Sequence, residues 1–314
     1  MKDCPITRRE SIKRMLRVSG GLALTSIVSG PFHAAFSASA EPGNGKFIVE
    51  AIGQSDSVSV KVLTRKVFEV AGGIQKFISK QDVVAIKPNL SWARSPHLAA
   101  TTNPEVLETV VELCQEAGAK KVMIVDHTIH DARRCFALTG AGAVAKKTGA
   151  DLIFPRPSLM REMKIHGNRL DVWPVYVPVV EADKIINLPI AKVHVLSDLT
   201  LGMKNWIGAV GGRRSALHQD IHQTVADLAQ FFKPTLTLID AIRIMISNGP
   251  SGGSESDVVA GNRLILSNDP VAADAKAALL FNRRAEDIGY IRLGKERGIG
   301  TFDFKTMTDR KVVV

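Results

Sequence analysis

The sequence predicts an α/β fold with mostly parallel, doubly wound sheet structure and a small β-hairpin insertion. Three observations carry this expectation. Short, continuously apolar runs recur at 47–52, 83–86, 122–125, 185–186 with Leu188, 236–239 and 264–266, as in strands buried on both faces. Helical patterns lie between those runs, the alternation that gives a sheet covered by helices on two sides. Residues 163–180, MKIHGNRLDVWPVYVPVV, alternate apolar and polar positions about a turn near Gly167-Asn168, the pattern of a hairpin.

The first forty residues stand apart. Thr7-Arg8-Arg9-Glu10-Ser11-Ile12-Lys13 precedes a mildly apolar segment from Val18 to Phe36, and Ala38-Ser39-Ala40 follows. A charged region, an apolar region and a small-x-small cleavage site make an export signal. The paired arginines resemble those of the twin-arginine pathway. The expectation is a periplasmic or otherwise exported protein that meets the twin-arginine translocase on its way. Residues 41–46, EPGNGK, read as a linker. Residues 47–314 then form a single α/β domain, with a division into two lobes as the alternative.

Within that body the clearest helix is NPEVLETVVELCQEAGAK. Asn103 stands at the cap and Pro104 at the first helical position, and Gly118 stops the pattern. Further helices are expected over 132–149, 218–232 and 270–281. GAGAVA, residues 140–145, fits a dinucleotide-binding spacing on paper. It follows a helix and not a strand, so it does not qualify.

Composition excludes several classes. The chain of 314 residues carries a formal +10, but residues 1–40 hold six Lys/Arg and two Asp/Glu, which leaves +6 on the remainder. Those basic residues are dispersed and aromatics are 5%, unlike the dense stripe or stacking platform of a nucleic-acid surface. A charge of this size suits attraction of small anions. Beyond the N-terminus no run approaches the roughly 20 apolar residues of a membrane span. Cys114 and Cys135 are compatible with a disulfide or with two buried thiols. No CxxC is present, so a four-cysteine iron–sulfur cluster is not expected from this chain's own cysteines.

In doubly wound sheets ligands bind beyond the carboxyl ends of the strands. The apolar runs are followed there by Lys87-Pro88-Asn89, Asp126-His127, Asn187, Asp240 and Asn268-Asp269. The segment KVHVLSDLTLGMKNW, 192–206, follows one such end. It places Lys192, His194, Lys204 and Asn205 in a run otherwise suited to an interior. A buried lysine is costly unless it meets an opposite charge, so these side chains point to an anionic or metal-bound group. His218 and His222 sit four apart on an expected helix, a spacing that can chelate a metal. Gln219 stands where zinc proteases carry their glutamate. His127 and His130, near Asp126 and Asp131, form a second metal or acid–base candidate. NGPSGGSESD, 248–257, is a Gly/Ser loop whose backbone can cradle an anion.

The stretches VVAIKPNLSW, TTNPEVLETVVELCQEAGAKKV, NLPIAKVHVLSDLTLGMKNWIGAVGG, KPTLTLIDAIRIMISNGPSGG and SNDPVAADAKAALL, in that order, resemble the blocks of the domain of unknown function 362 family. The likeness runs from about residue 47 to about 300. The K-x-H block with the following K-N-x-x-G is its most specific part. The resemblance implies a site drawn from Lys87, Asn89, His194, Lys204, Asn205, His218, Asp240, Pro250, Asp269 and Asp274. Many relatives carry iron–sulfur motifs that this chain lacks, and the family's name assigns it no general activity.

Together these readings give an expected site. His194, Lys204, Asp240 and His218 are the catalytic candidates. Lys87, Asn89, Lys192, Asn205, Gly249, Pro250, Asp269 and Asp274 are the candidates for binding a small anionic ligand. His194, His218, His222, Asp126 and His127 are the candidate metal ligands. The cofactor is left open, with a metal ion among the possibilities. The function expected is an exported enzyme, with isomerase or redox chemistry at a carboxylated substrate suiting Lys and His pairs. Two alternatives stand beside it: a non-catalytic periplasmic protein that binds an anion or a metal complex, and a structural partner in a larger assembly.

Overall fold

A computed structural model describes residues 45–55 and 57–314. The expected export signal and residues 41–44 of the linker lie outside them. The apolar runs become the strands of one large sheet. Its order is β12 (Thr308–Val313), β1 (Phe47–Ile52), β11 (Val258–Ser267), β10 (Leu236–Met245), β7 (Lys184–Leu188), β2 (Val83–Pro88), β3 (Lys121–Val125) and β4 (Asp151–Ile153). From β10 to β4 each neighbouring pair is parallel. β11 alone on this path runs against both of its neighbours. β8 (Ile190–His194) lies parallel beside β10, and β9 (Asp198–Thr200) folds back antiparallel on β8.

Alternate side chains of each strand enter opposite cores. Val84 and Ile86 pack with α1 (Val60–Val70), α2 (Pro104–Glu116), α3 (Ala132–Leu138) and α4 (Ala141–Thr148). Ala85, Ile185 and Ile239 face the other way. There they meet the β5–β6 hairpin (Met160–Lys164 with Val172–Tyr176), α5 (Val177–Val180), α7 (Ile221–Phe232), α8 (Pro270–Ala278) and α9 (Gly289–Glu296). The doubly wound arrangement follows directly. Among the described residues no helix is long and apolar enough to cross a membrane.

Local chemistry moves several boundaries. α2 is capped as its sequence implies, with the Asn103 side chain accepting the Glu105 N–H at 3.0 Å. The expected helix 132–149 is two helices, because Gly140 takes a left-handed φ of 81° between them. The hairpin pairs Met160 with Tyr176 and Lys164 with Val172. Its second strand then stops, and Val177–Val180 coils with Pro178 in the first turn. Helix α7 begins at Ile221, where the Asp220 carboxylate accepts the Gln223 N–H. His218 lies before that cap, in a separate short turn. β10 does not end at Ile239 but continues through Asp240 to Met245.

One buried carboxylate ties the hairpin to the helices beneath it. Asp227, on α7, accepts the backbone N–H groups of Asn168, Arg169 and Leu170 at 2.8–3.0 Å and pairs with Arg297 at 2.6 Å. Asp227→Ala leaves three amides and a mostly buried guanidinium without their acceptor. We expect a loss of about 3–5 kcal/mol, measured as a lower urea midpoint at unchanged slope. An unchanged midpoint would show that solvent replaces the carboxylate.

Candidate functional site

The carboxyl end of β2 organises the site. Lys87 lies opposite Asn187 of β7 in the parallel register. Its ammonium, 1% exposed, pairs with Asp126 Oδ1 at 2.7 Å and donates to Pro88 O and to Asn205 Oδ1. Asn205 Nδ2 donates back to Lys87 O and to Asn187 Oδ1. Asn187 Nδ2 donates to Gly202 O at 2.8 Å. Asp126 Oδ2 accepts the Leu90 N–H at 2.7 Å. Strand ends β2, β3 and β7 are thereby stitched to the short helix α6 (Gly202–Asn205). Gly208 has to be glycine here, since a Cβ would fall 2.2 Å from Asp126 Oδ1 and 2.7 Å from Lys87 Nζ.

Helix α6 is fixed from behind by Asp274 of α8. Its carboxylate accepts the Gly202 and Met203 N–H groups at 2.7 and 2.9 Å, and burial pushes its pKa up to about 7. This anchors Lys204, which projects from the same turn into a cavity of about 460 Å³. Lys192, His194, His218 and Arg214 complete its polar floor, and among the described residues no Asp or Glu lines it.

Among the described residues none of the basic groups of that floor forms an ion pair. Lys192 Nζ donates to Ala100 O and Pro250 O, and burial drives its pKa well below the lysine range. Pro250 can approach because the preceding residue is Gly249, where a Cβ would sit 2.0 Å from Val193 O. Arg214 donates to the carbonyls of His127 and Thr128, and its buried Nε has no partner among the described residues. Among the described residues the Lys204 ammonium has neither a hydrogen bond nor an ion pair. Burial, with Arg214 nearby, lowers its pKa to about 7.

The two imidazoles lie with ring centroids 6.2 Å apart and nearly parallel. His194 Nδ1 accepts the Leu196 N–H at 3.1 Å, so its proton sits on Nε2. His218 Nδ1 faces Arg214 O at 3.1 Å. A carbonyl only accepts, so this proton is on Nδ1 and Nε2 keeps its lone pair. Burial first, then the neighbouring cations, pushes His194 down to about 3 and lowers His218. Both rings are neutral at pH 7, and one offers a donor where the other offers a base.

Of the sequence-expected residues, the cavity brings together Asn89, Lys192, His194, Lys204, Asn205, His218 and Pro250. Others go elsewhere. Lys87 and Asp126 lie beneath the floor and are spent on each other. Asp240 accepts the Asn103 and Ile242 N–H groups, with its pKa raised by burial to about 6, so it ties β10 to the start of α2. Asp269 caps α8 and meets Lys46 and Thr301. It lies at the opposite sheet edge because β11 is antiparallel. His222 stacks near Tyr290, and His127 bonds Val210 O. The five expected metal ligands do not converge. Among the described residues no group of three or more His, Cys, Asp or Glu is placed to hold a metal ion. Cys114 and Cys135 are separate buried thiols. Sequence reasoning missed Arg214, Thr200 and Trp92; the one signal was the Arg213-Arg214 pair following Gly211-Gly212.

Fold and cavity define an α/β protein with a cationic pocket beyond the carboxyl ends of its parallel strands. The chain belongs to the family described as domain of unknown function (DUF362), whose model matches residues 84–279. It is similar to the Thylakoid-associated protein sll1697 of Synechocystis sp., with 28% identity over 202 residues, covering 62% of each chain. The chain thus spans about 62% of the length of that curated relative. Among solved structures it is similar to the lactate racemase apoprotein of Thermoanaerobacterium thermosaccharolyticum. The TM-score is 0.44 at 14% identity, over 76% of this chain and 57% of that one.

Asp126→Asn keeps an acceptor for the Leu90 N–H but strips Lys87 of its counter-charge. A cost of about 3–5 kcal/mol is expected, read from thermal or denaturant unfolding. A stability equal to wild type would mean that Lys87 is held neutral and the pair contributes nothing.

Proposed function

We propose that the protein is an enzyme that binds a small carboxylated anion in this pocket and moves a proton on it. The observation that carries this reading is the pairing of two neutral, oppositely protonated imidazoles beside an unpartnered lysine in a cavity free of acidic residues. Lys204 and Arg214 hold the carboxylate. His218 Nε2, with its lone pair free, takes the proton from the carbon next to that carboxylate. His194 Nε2–H, kept neutral by burial, donates a hydrogen bond to the oxygen on which charge develops. Asn89 adds a neutral polar group that orients the ligand. The reaction class is proton abstraction next to a carboxylate, as in an isomerase. Among the described residues no three-ligand metal site is composed, and the roles above are those of the chain's own side chains.

The test is proton exchange in D₂O, followed by NMR over a panel of short carboxylic acids. Wild type exchanges the hydrogen next to the carboxylate, and His218→Gln lowers that rate at least about 100-fold while still binding. Ligand affinity is flat between about pH 6 and pH 7, where the acid is ionised and Lys204 is charged. It weakens by up to about tenfold per unit above pH 7, as the ammonium at about 7 loses its proton. Lys204→Gln removes that dependence. Acids that bind and never exchange or change would make this a binding protein instead.

We propose in addition that residues 7–13 and 38–40 direct export through the twin-arginine translocase, on the paired arginines and small-x-small site of the sequence. Replacing Arg8 and Arg9 together by lysine then strands the protein in the cytoplasm on fractionation. Unchanged export would overturn this.

A further inference from the structure

The floor of the pocket is cationic, but its mouth is not. Trp92, Ile129, Val195 and Leu196 line the same cavity. They come from three separate segments: the loop after β2, the loop after β3 and the β8–β9 turn. Val195 is 84% exposed, Leu196 55% and Ile129 47%, so three large apolar side chains from two of these segments face water around one opening. Trp92 is set in place by edge-on packing against His130 at 4.9 Å. Apolar side chains gathered in this way around a polar site mark a ligand surface. The backbone N–H of Leu196 bonds the His194 ring, so the apolar turn is continuous with the reacting groups.

Size argues the same way. A cavity of about 460 Å³ falls within the roughly 300–1,000 Å³ range of sites that enclose drug-sized ligands. A short acid would leave most of it to water.

We infer that the ligand of this pocket is an amphipathic carboxylate, its anionic head on Lys204 and Arg214 and an apolar tail across Trp92, Ile129, Val195 and Leu196. This rests on the reading that the floor receives the anionic head. It adds that recognition of the tail selects the substrate. The alternating character of the site, cations deep and hydrocarbon outside, matches a single chain entering head first. Any partner protein or membrane that covered the apolar rim alone would leave the buried lysine unmatched.

The experiment is calorimetric titration of the full chain with acetate, butanoate, hexanoate and octanoate, below pH 7 and below micelle formation. Affinity is expected to rise about threefold to fourfold per added methylene, the gain for burying that group. In the double variant V195S/L196S the octanoate-to-acetate affinity ratio falls towards one. In Lys204→Gln both acids weaken by the same factor and the ratio survives. Equal affinity for acetate and octanoate overturns the amphipathic ligand and leaves the anionic head intact. No binding by any acid overturns both readings. Octanoate binding undiminished in Lys204→Gln also overturns both, since it reports adhesion to apolar surface only. Sedimentation with anionic phospholipid vesicles that needs Val195 and Leu196, without octanoate binding, reassigns the rim to membrane contact and overturns the inference.

Discussion

The Lys87–Asp126 ion pair is the contact on which the site depends. Both groups are within 1% of full burial, and two charges taken out of water persist only with close geometry and further hydrogen bonds. Those bonds come from Pro88, Leu90 and Asn205, and Asn205 carries the constraint on to Asn187 and through it to Gly202. Three strand ends and one helical turn therefore share a single polar network. The strands are held by their ladders in any case. What the network adds is the placement of α6, and with it Lys204.

A second constraint is that most polar groups near the pocket are already used. Asp274 holds the start of α6, Asp240 holds the start of α2, and Lys192 is absorbed by two carbonyls. Lys204, the Nε2 atoms of His194 and His218, and Arg214 Nε stand out because the fold gives them nothing to do. Chemistry is assigned to them for that reason, and not because they are polar.

The sheet was readable because fully buried parallel strands are short apolar runs and little else resembles them. Asn103-Pro104 and Gly118 marked α2 because capping is local chemistry. The site was less readable, for particular reasons. Asp240 follows the largely apolar run Leu236–Ile239 and so resembled a strand end, yet the strand continues and backbone amides satisfy the carboxylate. Asp269 does follow a strand, but a single sequence does not show that this strand runs backwards. His218 and His222 are spaced for one helix, but Asp220 between them caps it. Lys87 looked like an anion ligand because its partner, Asp126, is distant in sequence. Arg214 belongs to a short basic pair with no pattern of its own, and only folding brings it to the cavity. The K-x-H and K-N segment was legible because two lysines and a histidine have no place in a greasy run unless a pocket receives them.

The carboxylate-free floor has a consequence for the molecule at rest. Burial lowers the pKa of Lys192, Lys204 and Arg214, and the charge of Lys204 adds to the effect at Lys192 as that of Arg214 does at Lys204. Asp126 offsets part of this at Lys192 and Arg214, whereas no carboxylate does so at Lys204, so the proposed anion would restore there the charge that burial suppresses. Fold and function pull in opposite directions at this point. The substitutions that would make the protein hardest to unfold are those that would leave it nothing to bind, and occupancy itself becomes part of what holds the native state together.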